Sequence, residues 1–167
     1  MTDTDAGGEP PRRTVTIPER IDLPRLLDFY DLQDAEHTRI HEFYDRLREG
    51  DLSTTRCENC GELHFPPRVI CPECTSDDLE YVSLPHEGTL FAFSTVRGSG
   101  PLGMETPFVT GVVELDGADV RLSARIDGAK YEDLSIGDPV SLVITEIEDG
   151  LDQQRVFYQF EPQGETA

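Results

Sequence analysis

The chain has 167 residues, 34 of them acidic and 14 basic, for a formal net charge of −20 at pH 7; the length suggests one or two small domains. So acidic a chain lacks the general field that draws a protein onto nucleic acid, and no stretch approaches the ~18 apolar residues of a membrane span. Lys130 is the single lysine, and a densely acidic, lysine-poor surface suits a salt-rich cytosol that screens self-repulsion, so a halophilic source is expected.

Residues 1–20 read as a disordered acidic tail, polar and rich in Gly and Pro up to Pro11, without the apolar run of a signal peptide. A soluble, cytoplasmic protein is expected. Residues 21–50 read as a helical arm. Ile40, Phe43, Tyr44 and Leu47 fall at i, i+3, i+4 and i+7 within one amphipathic helix running from Leu32 to Gly50, and a turn around Leu23 to Tyr30 precedes it, with Pro24 at a first helical position. These apolar stripes either pack on their own chain or dock on another subunit. His37 and His41 lie four apart, but Thr38 stands where a metalloprotease helix carries glutamate, so they read as a solvated helix face.

Residues 51–86 hold the strongest signal. Cys57-Glu-Asn-Cys60 and Cys71-Pro-Glu-Cys74 are two C-x-x-C pairs that use every cysteine in the chain. Each pair can curl so that both sulfurs face one hole, and four thiolates suit a tetrahedral metal, with zinc the default and iron the alternative. Paired disulfides are disfavoured because an adjacent C-x-x-C bridge closes a small strained ring. A closed all-cysteine site has no open position for water or substrate, so the metal is structural, and it supplies folding free energy that about 35 residues cannot find in a core. His64 is a spare donor beside Cys60. Arg56 and Arg68 flank the pairs, as counter-charges to the thiolates or as ordinary surface arginines.

From 87 to 163 the periodicity switches to two. Phe91 and Phe93 alternate with small residues and are read as barrel filling; Val109 to Leu115, Val120 to Ile126, Val140 to Ile147 and Arg155 to Glu161 continue the pattern. Asp116-Gly117 marks a hairpin, Asp149-Gly150 a turn, and Tyr131 to Leu134 a helical turn. Five antiparallel strands with a helical link after the third match a small closed barrel of the OB type. The fold class is therefore mainly β, a zinc ribbon followed by a five-stranded barrel. Gly98-Ser-Gly100-Pro-Leu-Gly103 imitates a dinucleotide loop, but Pro101 and Pro107 deny it the following helix, so it is a loop between strands.

The parts in this order resemble a two-domain family, formerly domain of unknown function 35, in which a rubredoxin-like zinc ribbon precedes an OB-fold. The residues that carry the resemblance are Leu52, Cys57-Glu-Asn-Cys60-Gly61 and Phe65-Pro66-Pro67-Arg68-Val-Ile-Cys71-Pro72-Glu-Cys74. Gly88-Thr-Leu-Phe-Ala-Phe-Ser-Thr-Val96, Pro107-Phe108-Val109 and Ile136-Gly137-Asp138-Pro139-Val140 extend it to roughly residues 40–162. The resemblance implies a noncatalytic partner of acyl-CoA enzymes, like the archaeal proteins that join acetoacetyl-CoA thiolase to hydroxymethylglutaryl-CoA synthase of the mevalonate pathway and help them share a CoA site. Arg68, Arg97, Arg121 and Arg125 are then candidates for CoA phosphates or partner contacts, with Arg155 beside them; arginines outside a barrel are otherwise solvated or paired with carboxylates. No nucleophile elbow or paired acid and base stands out, so an enzyme in its own right is not expected. The rival reading is a single-stranded nucleic-acid-binding module with Phe91 and Phe93 as stacking platform, against which the net charge weighs.

Overall fold

The computed structural model describes residues 9–16, 33–98, 106–148 and 155–164. The turn at Leu23 to Tyr30, the loop from Ser99 to Gly103 and the Asp149-Gly150 turn lie outside the described residues. In chain order the elements are β1 (Arg12–Thr16), α1 (His41–Arg48), β2 (Ser53–Cys57), β3 (Leu63–His64), β4 (Leu79–Ser83), β5 (Glu87–Val96), β6 (Phe108–Leu115), β7 (Arg121–Ile126), β8 (Pro139–Glu148) and β9 (Arg155–Pro162).

The alternating second half closes into a barrel in the order β5-β6-β7-β9-β8 and back to β5, the five-stranded OB arrangement expected. Gly117 supplies the positive φ (77°) at the β6–β7 hairpin, and a short 3₁₀ turn over Tyr131–Asp133 links β7 to β8. Leu90, Val113, Leu122, Ile126, Leu142, Ile144 and Phe160 fill the interior. Gly111 on β6 lets this packing close, since a Cβ there would sit 2.8 Å from Leu90 Cδ1.

A bulge between Leu90 and Ala92 in β5 corrects the reading of the phenylalanines. The extra residue breaks strict alternation, so Leu90 points into the core while Phe91 is 44% exposed. Phe93 keeps its place, packed against the core with Tyr131 at 5.0 Å between ring centroids.

Residues 12–16, expected within the disordered tail, form β1 and pair in parallel with Ile144 to Glu148. β5 occupies the same edge of β8 only as far as Ser141, which leaves ladder groups beyond it in need of partners. Arg12 adds a hydrogen bond to Glu146 at 3.0 Å, and Arg13 pairs with Asp127 and Glu161. The helix from Leu32 to Gly50 is also shorter than expected, spanning His41–Arg48. Asp34 Oδ1 accepts the Glu36 and His37 N–H groups and Thr38 Oγ1 accepts the Ile40 N–H. Such local side-chain bonds compete with helix.

The ribbon is a small antiparallel sheet in the order β3-β2-β4. It does not stand apart. Phe43 and Leu47 from α1 and Leu52 ahead of β2 belong to the same buried cluster as the barrel residues. Phe43 makes edge contacts with Tyr44 (5.1 Å), Phe65 (6.1 Å) and Tyr158 (6.2 Å), and Phe65 meets Tyr158 at 5.5 Å, so one knot of rings joins helix, ribbon and barrel. Gln33, fully buried, acts as a one-residue strand on β9: its Nε2 donates to the Val156 carbonyl (2.9 Å) and its Oε1 accepts the Val156 N–H (3.0 Å).

Candidate metal centre and arginine clefts

Two knuckles of the same design bring the cysteines together. In the first, the Cys57 N–H donates to the Glu62 carbonyl and the Gly61 N–H to the Cys57 carbonyl; in the second, the Cys71 N–H donates to Ser76 and the Thr75 N–H to Cys71. Each knuckle needs positive φ just after its second cysteine. Gly61 provides it (79°), whereas Thr75 is held there at 60°, a strained setting for a β-branched residue.

The four sulfurs lie within 4.8 Å of one another, with Cys57–Cys74 at 3.5 Å and Cys60–Cys71 at 3.6 Å. A tetrahedron with metal–sulfur bonds of about 2.3 Å has edges of about 3.8 Å, so the donor set fits one such ion without rearrangement. His64 Nε2 stands 3.3 Å from Cys71 Sγ, where it can donate to the sulfur as a neighbour of the ligand shell. The hydrogen bond from the Asn59 side chain, with the Ser76 N–H, draws the Cys74 thiol down to about 6. At Cys60 the backbone at Glu62 favours the thiolate, but desolvation and proton sharing with the other three sulfurs push it up to about 12. Ligation would strip the remaining protons, since the thiolate is the metal-binding form.

Arg56 is exposed on β2. It acts on Glu58, whose carboxyl is raised chiefly by a hydrogen bond to Glu80 and by that group's charge, with the Arg56 cation opposing. His37 and His41 are not partners: the first bonds Asp34 Oδ1 at 2.7 Å and the second lies 3.3 Å from the Thr38 carbonyl.

The four candidate arginines divide into two pairs. Arg68 and Arg121 line a groove of about 240 Å³ between ribbon and barrel. Arg97 and Arg125 line a second cleft of about 330 Å³, with Lys130, Tyr131 and Phe108. Arg121 stacks on the Phe91 ring at 3.8 Å and Arg125 lies over Phe108 at 5.4 Å. The convergence of Lys130 with Arg97 and Arg125 was not visible in the sequence; its being the only lysine was the available hint. Arg125 Nε and Thr95 Oγ1 are buried in that cleft without a hydrogen-bond partner, while Arg125 Nη2 pairs with Asp127 at 3.3 Å, and Asp127 and Glu132 also line the cleft. Arg155, 3% exposed, belongs to the interior and not to either cleft. Among the described residues no helix is long and apolar enough to cross a membrane.

Comparison with known proteins matches residues 45–80 to the ChsH2 rubredoxin-like zinc ribbon domain and residues 81–145 to the ChsH2 C-terminal OB-fold domain. A DUF35 domain-containing scaffold protein of Methanocaldococcus jannaschii is 34% identical over 115 residues, covering 66% of this chain and 81% of that protein. Benzoylsuccinyl-CoA thiolase subunit BbsA of Thauera aromatica is 34% identical over 101 residues, 60% of this chain and 68% of the relative. The solved structure of the Ltp2-ChsH2(DUF35) aldolase is similar with a TM-score of 0.60 at 26% identity, over 72% of this chain and 91% of the other. With both modules matched in this order and relatives covered over most of their length, the chain belongs to the DUF35 family of zinc-ribbon and OB-fold proteins.

Proposed function

We propose that this chain is a noncatalytic accessory subunit of a thiolase-type acyl-CoA enzyme complex. The observation that carries the reading is the likeness across both modules to relatives named as a scaffold protein and as a thiolase subunit. In the finer form of the proposal the partners are acetoacetyl-CoA thiolase and hydroxymethylglutaryl-CoA synthase, and the barrel completes a CoA site they share. The cleft with Arg97, Arg125 and Lys130 is the place for CoA phosphates: three cations outnumber the two carboxylates, Asp127 and Glu132, beside two aromatic walls, and guanidinium forks suit phosphate oxygens, although Arg125 would have to share or exchange its Asp127 partner at 3.3 Å.

Cys57, Cys60, Cys71 and Cys74 hold zinc in preference to iron, as a staple that keeps the ribbon folded. The surplus of carboxylates supports a protein working in a salt-rich cytoplasm. The rival nucleic-acid reading requires open aromatic faces. Instead one face of Phe91 lies under an arginine at 3.8 Å and Phe93 packs against the core, so the two rings form no open platform, which favours the accessory role. The test is purification of the chain from its native cell at native salt, followed by mass spectrometry. Stoichiometric recovery of a thiolase-type subunit is expected; recovery of the chain alone, or with oligonucleotide, would overturn the proposal.

A further inference from the structure

The groove between ribbon and barrel differs in composition from the rest of the molecule. In a chain with 34 acidic residues, its lining holds two arginines, a histidine and four apolar residues against one carboxylate, Asp119. One exposed large hydrophobic residue, Phe91, lies beneath Arg121, and a second, Ile70, 52% exposed, follows Arg68 by two positions in the sequence. Exposed aromatic and aliphatic groups beside arginine, with acid depleted, are the composition of the core of a protein–protein interface.

Both arginines are prepared for a ligand. The Arg68 backbone N–H is tied to Thr55 Oγ1 at 2.8 Å, next to buried Pro67, so the stem leaves the ribbon in a fixed direction. Among the described residues no ion pair reaches Arg68. The Arg121 guanidinium is held flat by the Phe91 ring, and its intrachain partner, Glu114, is an exposed carboxylate at 3.3 Å. Such a pair is weak and screened by salt, so a partner carboxylate that enters the groove as docking excludes water from it competes with Glu114.

We propose that this groove is a protein-docking surface in which Arg68 from the ribbon and Arg121 from the barrel together receive an acidic side chain of the partner subunit, while Ile70 and Phe91 supply apolar contact. The proposal rests on the accessory-subunit reading for the identity of the partner and adds where and by what chemistry it docks. The occupant is a glutamate or aspartate and not a free phosphate. Leu63, Phe65, Val120 and Pro72 give the groove apolar walls that suit the stem of a side chain, and two guanidinium groups lining one groove suit a single carboxylate.

Two measurements test this. In the first, the full-length, metal-loaded protein is titrated with a hexaglutamate peptide and separately with inorganic phosphate, following the Arg68 and Arg121 side-chain N–H signals and the Ile70 methyl groups by NMR. Saturable shifts at these three residues with peptide only are expected; no shift, or equal shifts with phosphate, overturns the proposal. In the second, Arg68→Glu and Arg121→Glu are introduced singly in the native cell and compared with Arg46→Glu on α1, each variant checked for intact barrel methyl signals. Each groove variant should weaken recovery of the partner at least about thirtyfold, as expected for interface anchors, with Arg46→Glu unaffected. Should the reversals unfold the ribbon, Arg68→Gln and Arg121→Gln carry the same expectation. Partner retained by all groove variants refutes the docking surface and leaves the accessory role standing. A wild-type chain that recovers no partner refutes the accessory role, and the peptide titration then decides the groove by itself.

Discussion

Replacing Gln33 with leucine should destabilise the protein by about 3–5 kcal/mol. The side chain is fully buried and makes three hydrogen bonds: to the Val156 carbonyl at 2.9 Å, from the Val156 N–H at 3.0 Å, and from Arg48 at 3.1 Å. Leucine preserves the volume and removes every polar atom. Two backbone groups of β9 then lose their partner, each at about 1–3 kcal/mol when buried, and a charged donor loses one acceptor. Part of the loss is recovered by water entering at the strand edge, which brings the sum to the range above. Urea denaturation of the zinc-loaded protein reads the total, and amide exchange at Val156 reads the local part, with protection there falling before that of β6. A Gln33→Leu change below about 1 kcal/mol with Val156 still protected would refute the idea that this side chain serves as a strand.

Removing the metal with a chelator, or replacing Cys71 with serine, should collapse the ribbon signals, since structural zinc sites of this type contribute on the order of 10 kcal/mol of coupled folding free energy; metal retained by the serine variant at wild-type stoichiometry would sink the ligand assignment. Thermal melts from ~0.1 to ~3 M potassium chloride should rise with salt as the net charge of −20 is screened; a flat or falling midpoint contradicts the halophilic reading. Alkaline stability should report on Tyr158, whose hydroxyl is pushed up to about 12, first by burial and then by Tyr44. The folded pKa lies above the unfolded value near 10, so this contribution is intact below pH ~10 and is lost between ~10 and ~12, amounting to at most about 3 kcal/mol for two units. Between pH ~10 and ~12 the denaturation midpoint of the wild type should fall more steeply than that of Tyr158→Phe, and an unchanged alkaline slope in the phenylalanine variant argues against that origin.

Strong local codes made the barrel and the cysteine cage readable from sequence. Period-two alternation, Asp116-Gly117 and the paired C-x-x-C motifs from Cys57 to Cys74 are each read from a short stretch of chain and do not depend on distant context. What escaped depends on partners far along the chain. The pairing of β1 with β8 joins Arg12 to Ile144, and nothing in Arg-Arg-Thr-Val-Thr announces which edge lies vacant. The bulge that turns Phe91 outward is a register event between β5 and β6, invisible in an alternating pattern read on one strand. The shortened helix reflects competition at Asp34 and Thr38 that a tally of apolar spacing does not weigh. The same holds for the arginines: their residue type was legible, but their division into two clefts depends on a fold that brings Arg68 and Arg121, 53 positions apart, to one groove.

The ring knot of Phe43, Tyr44, Phe65 and Tyr158 gives the molecule no hinge at its waist. Phe65 leaves the short strand that carries His64, and His64 touches a cage sulfur, so a disturbance of the knuckles is handed directly to Tyr158 and the barrel wall. An assembly that grips both halves thus meets a caliper locked at one setting, and demetallation would loosen the jaw on the far side as well as the near one.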